Sequence, residues 1–517
     1  MTYKKIITLF LFTFLYKLSF SQQQMLPLGE FYNQTISFNL NKASSPVINT
    51  GFKPLLKSEI NKAFNTDSVI YKTETDFFDR HKKTWFWKKL LFEDFISVKE
   101  KDFTLQINPL FYLQYGKSDK TADKYFINTR GIEIKGDIGK KLSYYSSFRE
   151  NQARFRPYIY DWAWNRLVVP GQGALKKNNN DLSLYDFSSA SGYLSYTPYN
   201  WLNIQAGQDK NFIGEGHRSL FLSDNTTGYP FVKFSFTYKN FKYITMFTQF
   251  RDFEGVYYNY HIKKHGAFNY LSYNFKNIAE IGLFEGLIYR TTDTSAYFNE
   301  FPTDFFIPVI GIRTAANGFA SENNALAGIN LKLKITNYIQ GYAQFAVDDP
   351  EQRKYAYQAG IKVFDILHSK VNGLQWYFQT EYNCASPRTY SHKNLRYQTW
   401  SHYNQELAVP FGTDFSEVYV NSNLIYKRFI IDFRYNYIKL NNSNTYSDIY
   451  MLDDFVYITM PDKETVSHKT VTIFYTINNR TGLQLYSAID LRKENNEQER
   501  FIMFGIKTSL NNFYYDF

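Results

Sequence analysis

The chain has 517 residues, a formal net charge of +11, 45 Tyr, 49 Phe and a single cysteine. Cys384 alone excludes an intramolecular disulfide and a cysteine-ligated metal cluster. Mean hydropathy is −0.43, and past the first two dozen residues no apolar run is long enough to cross a bilayer as a helix.

Residues 1–21 read as a signal peptide. Lys4 and Lys5 form the charged region, Ile6 to Leu15 the apolar region, and Ser19-Phe20-Ser21 the small residues before a cut ahead of Gln22. Export through the Sec pathway follows, and no lipobox cysteine suggests a lipid anchor. An exported chain rarely meets nucleic acid, so the basic balance is assigned to cationic loops and a polar lumen, with no nucleic-acid partner.

Residues 22–100 do not alternate and read as an N-terminal periplasmic helical or plug segment. Leu55 to Ala63 and Trp85 to Phe95 carry apolar residues at helical spacing. The aromatic-basic run Trp85-Phe86-Trp87-Lys88-Lys89 fits a helix on the membrane surface or one plugging a larger structure, with the plug preferred.

From residue 101 to 517 the period is two. Ala327, Ile329, Leu331, Leu333 and Ile335 oppose Gly328, Asn330, Lys332 and Lys334. Phe429, Ile431, Phe433, Tyr435 and Tyr437 oppose Ile430, Asp432, Arg434 and Asn436. Strands are expected near 103–115, 129–138, 141–149, 191–198, 201–208, 231–239, 241–250, 267–275 and 278–289. Nine more fall near 327–335, 338–347, 355–363, 373–383, 417–426, 428–438, 469–477, 482–491 and 500–511. Tight turns alternate with long segments, which places the long ones outside the cell. The expected fold is all-β: a roughly eighteen-stranded antiparallel transmembrane β-barrel, with the N-terminal helical segment at its periplasmic side. Glu133, Lys135, Arg149, Asp432 and Arg434 point inward, so a lumen crowded by paired charges competes with a conducting pore. The chain's closing Phe517, taken as the end of a final alternating strand, resembles the insertion signal read by the barrel assembly machinery.

Asn211 to Phe234 reads as a folded surface loop, dense in Gly, charge and amide. His217 lies near Ser219, Ser223 and Asp224, the raw material for a nucleophile and base, but no nucleophile elbow is present. The alternative is a hydrogen-bonded loop knit by Glu215, Arg218 and Asp224, with Gly214 and Gly216 allowing positive φ. No catalytic residue, cofactor or metal is expected. His261 and His265 are four apart, but lysines flank them and they fall in a loop; Asp348-Asp349 and Asp453-Asp454 read as solvated acids. The outer stretches Arg154 to Asn165, with Trp162 and Trp164, and Tyr390 to Trp400 are aromatic and polar. Such side chains stack on sugar rings, or they pack the loops against each other.

The residues Gly214 and Gly216, Leu220 and Leu222, Ser223 and Asn225, and Pro230 follow a pattern of G-x-G, leucines, Ser-x-Asn and a proline entering a strand. In this the chain resembles the Wzi capsule-assembly family and, more narrowly, the RemB-type surface proteins of gliding bacteria. Trp85 to Phe111 is similar to the family's entry from helix into first strand. The resemblance implies an eighteen-stranded outer-membrane barrel with no catalytic residues. It implies a protein that binds or anchors surface polysaccharide, in gliding motility and adhesion or in capsule assembly. The alternative is a passive outer-membrane pore or transporter. The residues expected to meet a ligand are Glu215, His217, Arg218, Asp224, Asn225, Trp162 and Trp164. Expected partners are outer-membrane lipid, surface polysaccharide, the barrel assembly machinery and gliding-motility surface proteins.

Overall fold

The computed structural model describes residues 23–42, 46–70, 84–121, 123–177, 183–254, 260–289, 303–317, 319, 323–365, 373–392, 398–441, 464–508 and 511–517. The signal peptide and Asp453-Asp454 lie outside the described residues.

Period-two alternation produces a wall with two different solvents. The first six strands are β1 (Phe103–Ser118), β2 (Lys124–Ile138), β3 (Leu142–Arg154), β4 (Tyr185–Tyr199), β5 (Leu202–Asp209) and β6 (Tyr229–Tyr238). Then come β7 (Phe241–Glu254), β8 (Tyr260–Phe275), β9 (Ala279–Tyr289), β10 (Asn324–Lys334), β11 (Ile339–Asp349) and β12 (Lys354–Phe364). The last six are β13 (Leu374–Ala385), β14 (Phe415–Tyr426), β15 (Phe429–Leu440), β16 (Glu464–Asn478), β17 (Leu483–Glu494) and β18 (Glu497–Lys507). Among the described residues these eighteen strands pair antiparallel in sequence order, and β18 closes on β1 with Phe501 opposite Ser118. Closure leaves hydrocarbon no free edge along most of the wall. Phe429, Ile431, Phe433 and Tyr437 are 39–52% exposed on the lipid side, while Asp432 and Asn436 between them are buried. Two pairs form among the inward charges: Lys135 with Glu133 at 2.7 Å and Arg434 with Asp432 at 2.7 Å.

Tight turns gather at the inner rim, where Lys239, Lys276, Asn277 and Lys427 take positive φ. Long connections gather at the outer rim, apart from the short ones at 119–123, 255–259, 350–353 and 495–496.

The end of the chain differs from expectation. The final strand stops at Lys507, and Asn511–Phe517 turns into the lumen. Phe517 is therefore not the terminal residue of a wall strand. Its ring lies 5.2 Å from that of Trp162. The lower edge of β1, which β18 does not reach, is covered by Ile96–Lys99, with Ile96 opposite Ile107 and Lys99 opposite Thr104.

Helix α1 (Glu30–Lys42) stands inside the barrel. Its first residue meets Arg434 at 2.8 Å, and Asn41 donates to the Thr336 carbonyl at the inner rim. Leu26, Ile36, Ile48, Leu55 and Ile60 form a small apolar core beneath it. The aromatic-basic helix α2 (Trp85–Leu91) takes the surface alternative instead of the plug. Trp85, Phe86 and Trp87 are 65%, 58% and 40% exposed, and only Leu91 is buried. Asn478, at an inner turn, holds α2 by donating to the Lys89 and Glu93 carbonyls.

Candidate functional site

The connection between β5 and β6 is not a surface loop. It folds down into the lumen, and nearly all of residues 211–226 are buried. The reason lies in its apolar run: Leu220, Phe221 and Leu222 are fully buried and need a core. Phe221 stacks on Phe284 of the wall at 4.7 Å. Gly328, opposite Phe284 in the wall, has no room for a Cβ, which would overlap the Phe221 ring. Gly214 takes φ +136°, and a Cβ on Gly216 would strike the Glu381 carboxylate.

Many of the loop's polar groups bond to side chains far away in sequence. The backbone N–H groups of His217 and Arg218 donate to Glu381 at 2.7 and 3.1 Å. Arg218 forms a fork on Glu417 (Nη2 at 3.0 Å) and reaches Asp516 at 2.8 Å. His217 lies flat on Tyr419, with ring centroids 3.8 Å apart, and its Nε2 is 3.7 Å from Asp516. Asp224 accepts from Tyr514 at 2.7 Å and from Asn512 at 3.0 Å. Asn225 donates to the Glu406 carbonyl. Tyr390 and Trp400 of the outer connection donate to the Leu220 and Phe221 carbonyls. Burial disfavours charge on Asp516, yet Arg218 and His217 hold its carboxyl below the usual range.

The loop meets the N-terminal segment at mid-barrel. Glu215 accepts from Thr50, and Lys53 donates to the Gly214 carbonyl. Burial raises the Glu215 pKa, but Lys53, Lys332 and Lys362 outweigh it and hold the group at about 2, against an ordinary 4.5. A depressed folded value means the contact is stabilising above the unfolded value and loses that contribution as pH falls through the folded one. Docking of the N-terminal segment is therefore expected to loosen between pH 4.5 and about 2. Protease cleavage within residues 46–56 measured against pH checks this. Glu215→Gln should flatten the profile in that window.

The expected ligand residues thus divide. Glu215, His217, Arg218, Asp224 and Asn225 come together, but buried, with protein partners. Trp162 is buried in helix α3 (Pro157–Arg166), which lies under the outer connections, and Arg166 covers its ring at 4.4 Å. Trp164, on the same helix, is 41% exposed. Ser219 Oγ donates to the Ile213 carbonyl and accepts from the N–H groups of Phe221 and Leu222, so it ties the loop's own turn. His261 and His265 lie in β8 rather than in a loop. A strand sets residues four apart at about 13 Å, too far to share one ion. Among the described residues no group of three potential ligands gathers around a metal-sized space.

Sequence reasoning missed the space beside the knot. A cavity of about 770 Å3 lies between α1, the Asn511–Phe517 segment and the inner faces of β14–β18 and β1. Tyr112, Tyr419, Arg434, His468, Tyr486 and Lys507 are on its wall. It reaches the inner turns at Lys427 and Asn479 and ends near Arg156, which pairs with Asp490. Alternation marked these residues as inward, but their convergence depends on which strands neighbour α1.

No protein-family model matches the sequence, and no curated protein matches it. Among solved structures the chain is similar to Wzi of Escherichia coli, described as an outer membrane protein involved in group 1 capsule assembly and a carbohydrate-binding β-barrel. The TM-score is 0.58 at 13% identity, over 94% of this chain and 99% of that one. Acinetobacter baumannii OccAB2 matches with a TM-score of 0.41 at 10% identity, over 78% of this chain and 97% of that one. Pseudomonas aeruginosa OpdK with vanillate matches with a TM-score of 0.41 at 8% identity, over 78% and 97%. The likeness to Wzi bears on the fold: this chain is a closed, eighteen-stranded antiparallel β-barrel.

Proposed function

We propose that this barrel binds or anchors surface polysaccharide, in gliding motility and adhesion or in capsule assembly, and catalyses no reaction. The observation that carries the reading is the knot at mid-barrel, where the inward loop joins the N-terminal segment through Glu215, Thr50 and Lys53. A lumen filled by such contacts leaves the outer face as the working surface. There Trp164 keeps part of its ring in solvent, and an aromatic face of that kind stacks on sugar rings. Two likenesses support the reading. The similar structure Wzi is described as carbohydrate-binding and as involved in capsule assembly. The Gly214 to Pro230 motif resembles RemB-type proteins, which adds the motility context and the gliding surface proteins as partners. Export through the Sec pathway and insertion by the barrel assembly machinery complete the route to the outer membrane.

Deleting the gene tests the role. Cells lacking the protein are expected to shed surface polysaccharide or to spread poorly; normal retention together with normal spreading would overturn the proposal. The pore reading draws on the 770 Å3 cavity that reaches the inner turns. Planar-bilayer recordings separate the two: the intact protein is expected to show no steady channel, and a steady conductance would favour the pore.

A further inference from the structure

One part of the wall breaks the rule that outward positions are exposed. Low on β9 and β10, Ile281, Leu283, Ile329 and Leu331 are 38–43% exposed, as lipid-facing residues should be. Higher on the same outward faces of β7–β10, Thr245, Ala267, Asn269, Glu285, Leu287 and Ala325 are at most 3% exposed. Three of them are polar, and Glu285 carries a carboxylate. A charge on the lipid face of a barrel is costly at mid-membrane and falls in cost toward the interfaces.

What covers them is the described part of the connection between β9 and β10. It was expected to stand outside the cell. Instead, a single 3-10 turn at Thr303–Phe306 and a short helix at Ile312–Asn317 lie against the outside of the barrel. Phe305, 2% exposed, packs with Ala267, Leu287, Tyr289 and Ala325. Tyr243 donates its hydroxyl to the Pro308 carbonyl. Glu285 accepts from the Gly311 and Thr314 N–H groups at 3.0 and 3.1 Å, from the Thr314 hydroxyl at 2.6 Å and from Asn269 at 3.3 Å. Arg313 turns back on the Ile307 carbonyl. Glu285 and Tyr243 of the wall thus pair with the segment's own polar groups, the condition under which irregular backbone survives beside hydrocarbon.

The other side of the segment is apolar. Phe306, Val309 and Ile312 are 56%, 46% and 48% exposed, and Phe305 to Ile312 contains no charged residue. This surface continues the exposed band formed by Leu283 and Ile329 below it.

We propose that Thr303–Asn317 is a membrane-embedded strap, pinned to the wall by Glu285, whose outer face is covered by acyl chains of the outer leaflet. The occupant follows from continuity: the strap extends a surface that already faces lipid. It enlarges the barrel's apolar perimeter on one side, so the protein meets its membrane asymmetrically.

Site-directed spin labels test the placement. Val309→Cys, Ile329→Cys and Glu351→Cys are made separately in a Cys384→Ser background, labelled and reconstituted at low density in phosphatidylcholine vesicles. Power saturation then compares oxygen, which concentrates in hydrocarbon, with a water-soluble nickel chelate. The label at 309 is expected to follow the wall label at 329. If it follows the label at 351 on the outer rim, the strap is in water and the proposal fails. If both quenchers are blocked at 309, protein covers the site, a second copy included, and the proposal also fails. Glu285→Gln and, separately, Thr314→Ala are expected to make the label at 309 more mobile while the heat-modifiable gel shift is kept. An unchanged label spectrum in both variants removes Glu285 as the pin; should Glu285→Gln fail to assemble, Thr314→Ala alone decides it.

Discussion

Replacing Arg218 with alanine is expected to lower the stability of the folded barrel by about 3–5 kcal/mol, the range for breaking a buried ion pair from one side. The side chain is 1% exposed, and its partner Glu417 is fully buried. Burial opposes charge on Arg218, but Asp516 and Glu417 hold it protonated well beyond its ordinary range. Removing the guanidinium leaves Glu417 and Asp516 facing each other, with Glu381 of β13 nearby, bonded to the Arg218 N–H. Lysine is a poor substitute because a single ammonium cannot fork on Glu417 and reach Asp516 as well. Arg218→Ala combined with Glu417→Gln should recover part of the loss, since one of the stranded charges goes with it. The temperature at which the heat-modifiable band disappears measures both variants. A single variant that melts with the wild type would show that the knot does not couple to the wall.

The strands were legible because lipid imposes alternation, and the errors fall where lipid ends. On the outer side β8 begins at Tyr260 against an expected 267, and β4 at Tyr185 against 191. Above the hydrocarbon the outward side need not be apolar, so the period-two signal fades while the hydrogen-bonded ladder continues. At the last strand the error has the opposite sign. Alternation runs on past Lys507, but Thr508 turns aside, exchanging hydrogen bonds with Phe111 of β1. The loop at 210–228 was recognisable as folded but not as inward. Its polarity fits water as well as it fits Glu381, Glu417 and Gln344, and those partners come from strands more than a hundred residues away. The strap was hidden for the same reason. Glu285 interrupts an outward row of leucines and isoleucines, and only the hydrogen bonds from Gly311 and Thr314 explain why it is tolerated there.

Removing Asn511–Phe517 is expected to open a path through the barrel without unfolding it. This short segment touches the start of α1, the inward loop, β15 and α3. Asn512 accepts from the Glu30 N–H and donates to the Leu28 carbonyl, which fixes the start of α1. Tyr514 and Asn512 hold Asp224 of the inward loop. Asp516 bridges Arg218 and Asn436 of β15. Phe517 packs on Trp162 and Tyr158 of α3 at 5.2 and 6.0 Å. The wall does not need it: β18 pairs with β1 from Phe501 opposite Ser118 to Lys507 opposite Tyr112. Truncation would therefore join the 770 Å3 cavity to the space beneath α3 while the closing ladder stays paired. Planar-bilayer recordings should show steady conductance steps from the truncated protein and none from the intact one, with heat-modifiable migration kept by both. Phe517→Ala, which loosens only the outermost contact, should speed proteolysis of the outer connections without producing channels. A silent truncated barrel would place the seal in the inward loop and N-terminal segment alone, where Glu215 is held by Thr50 and Lys53.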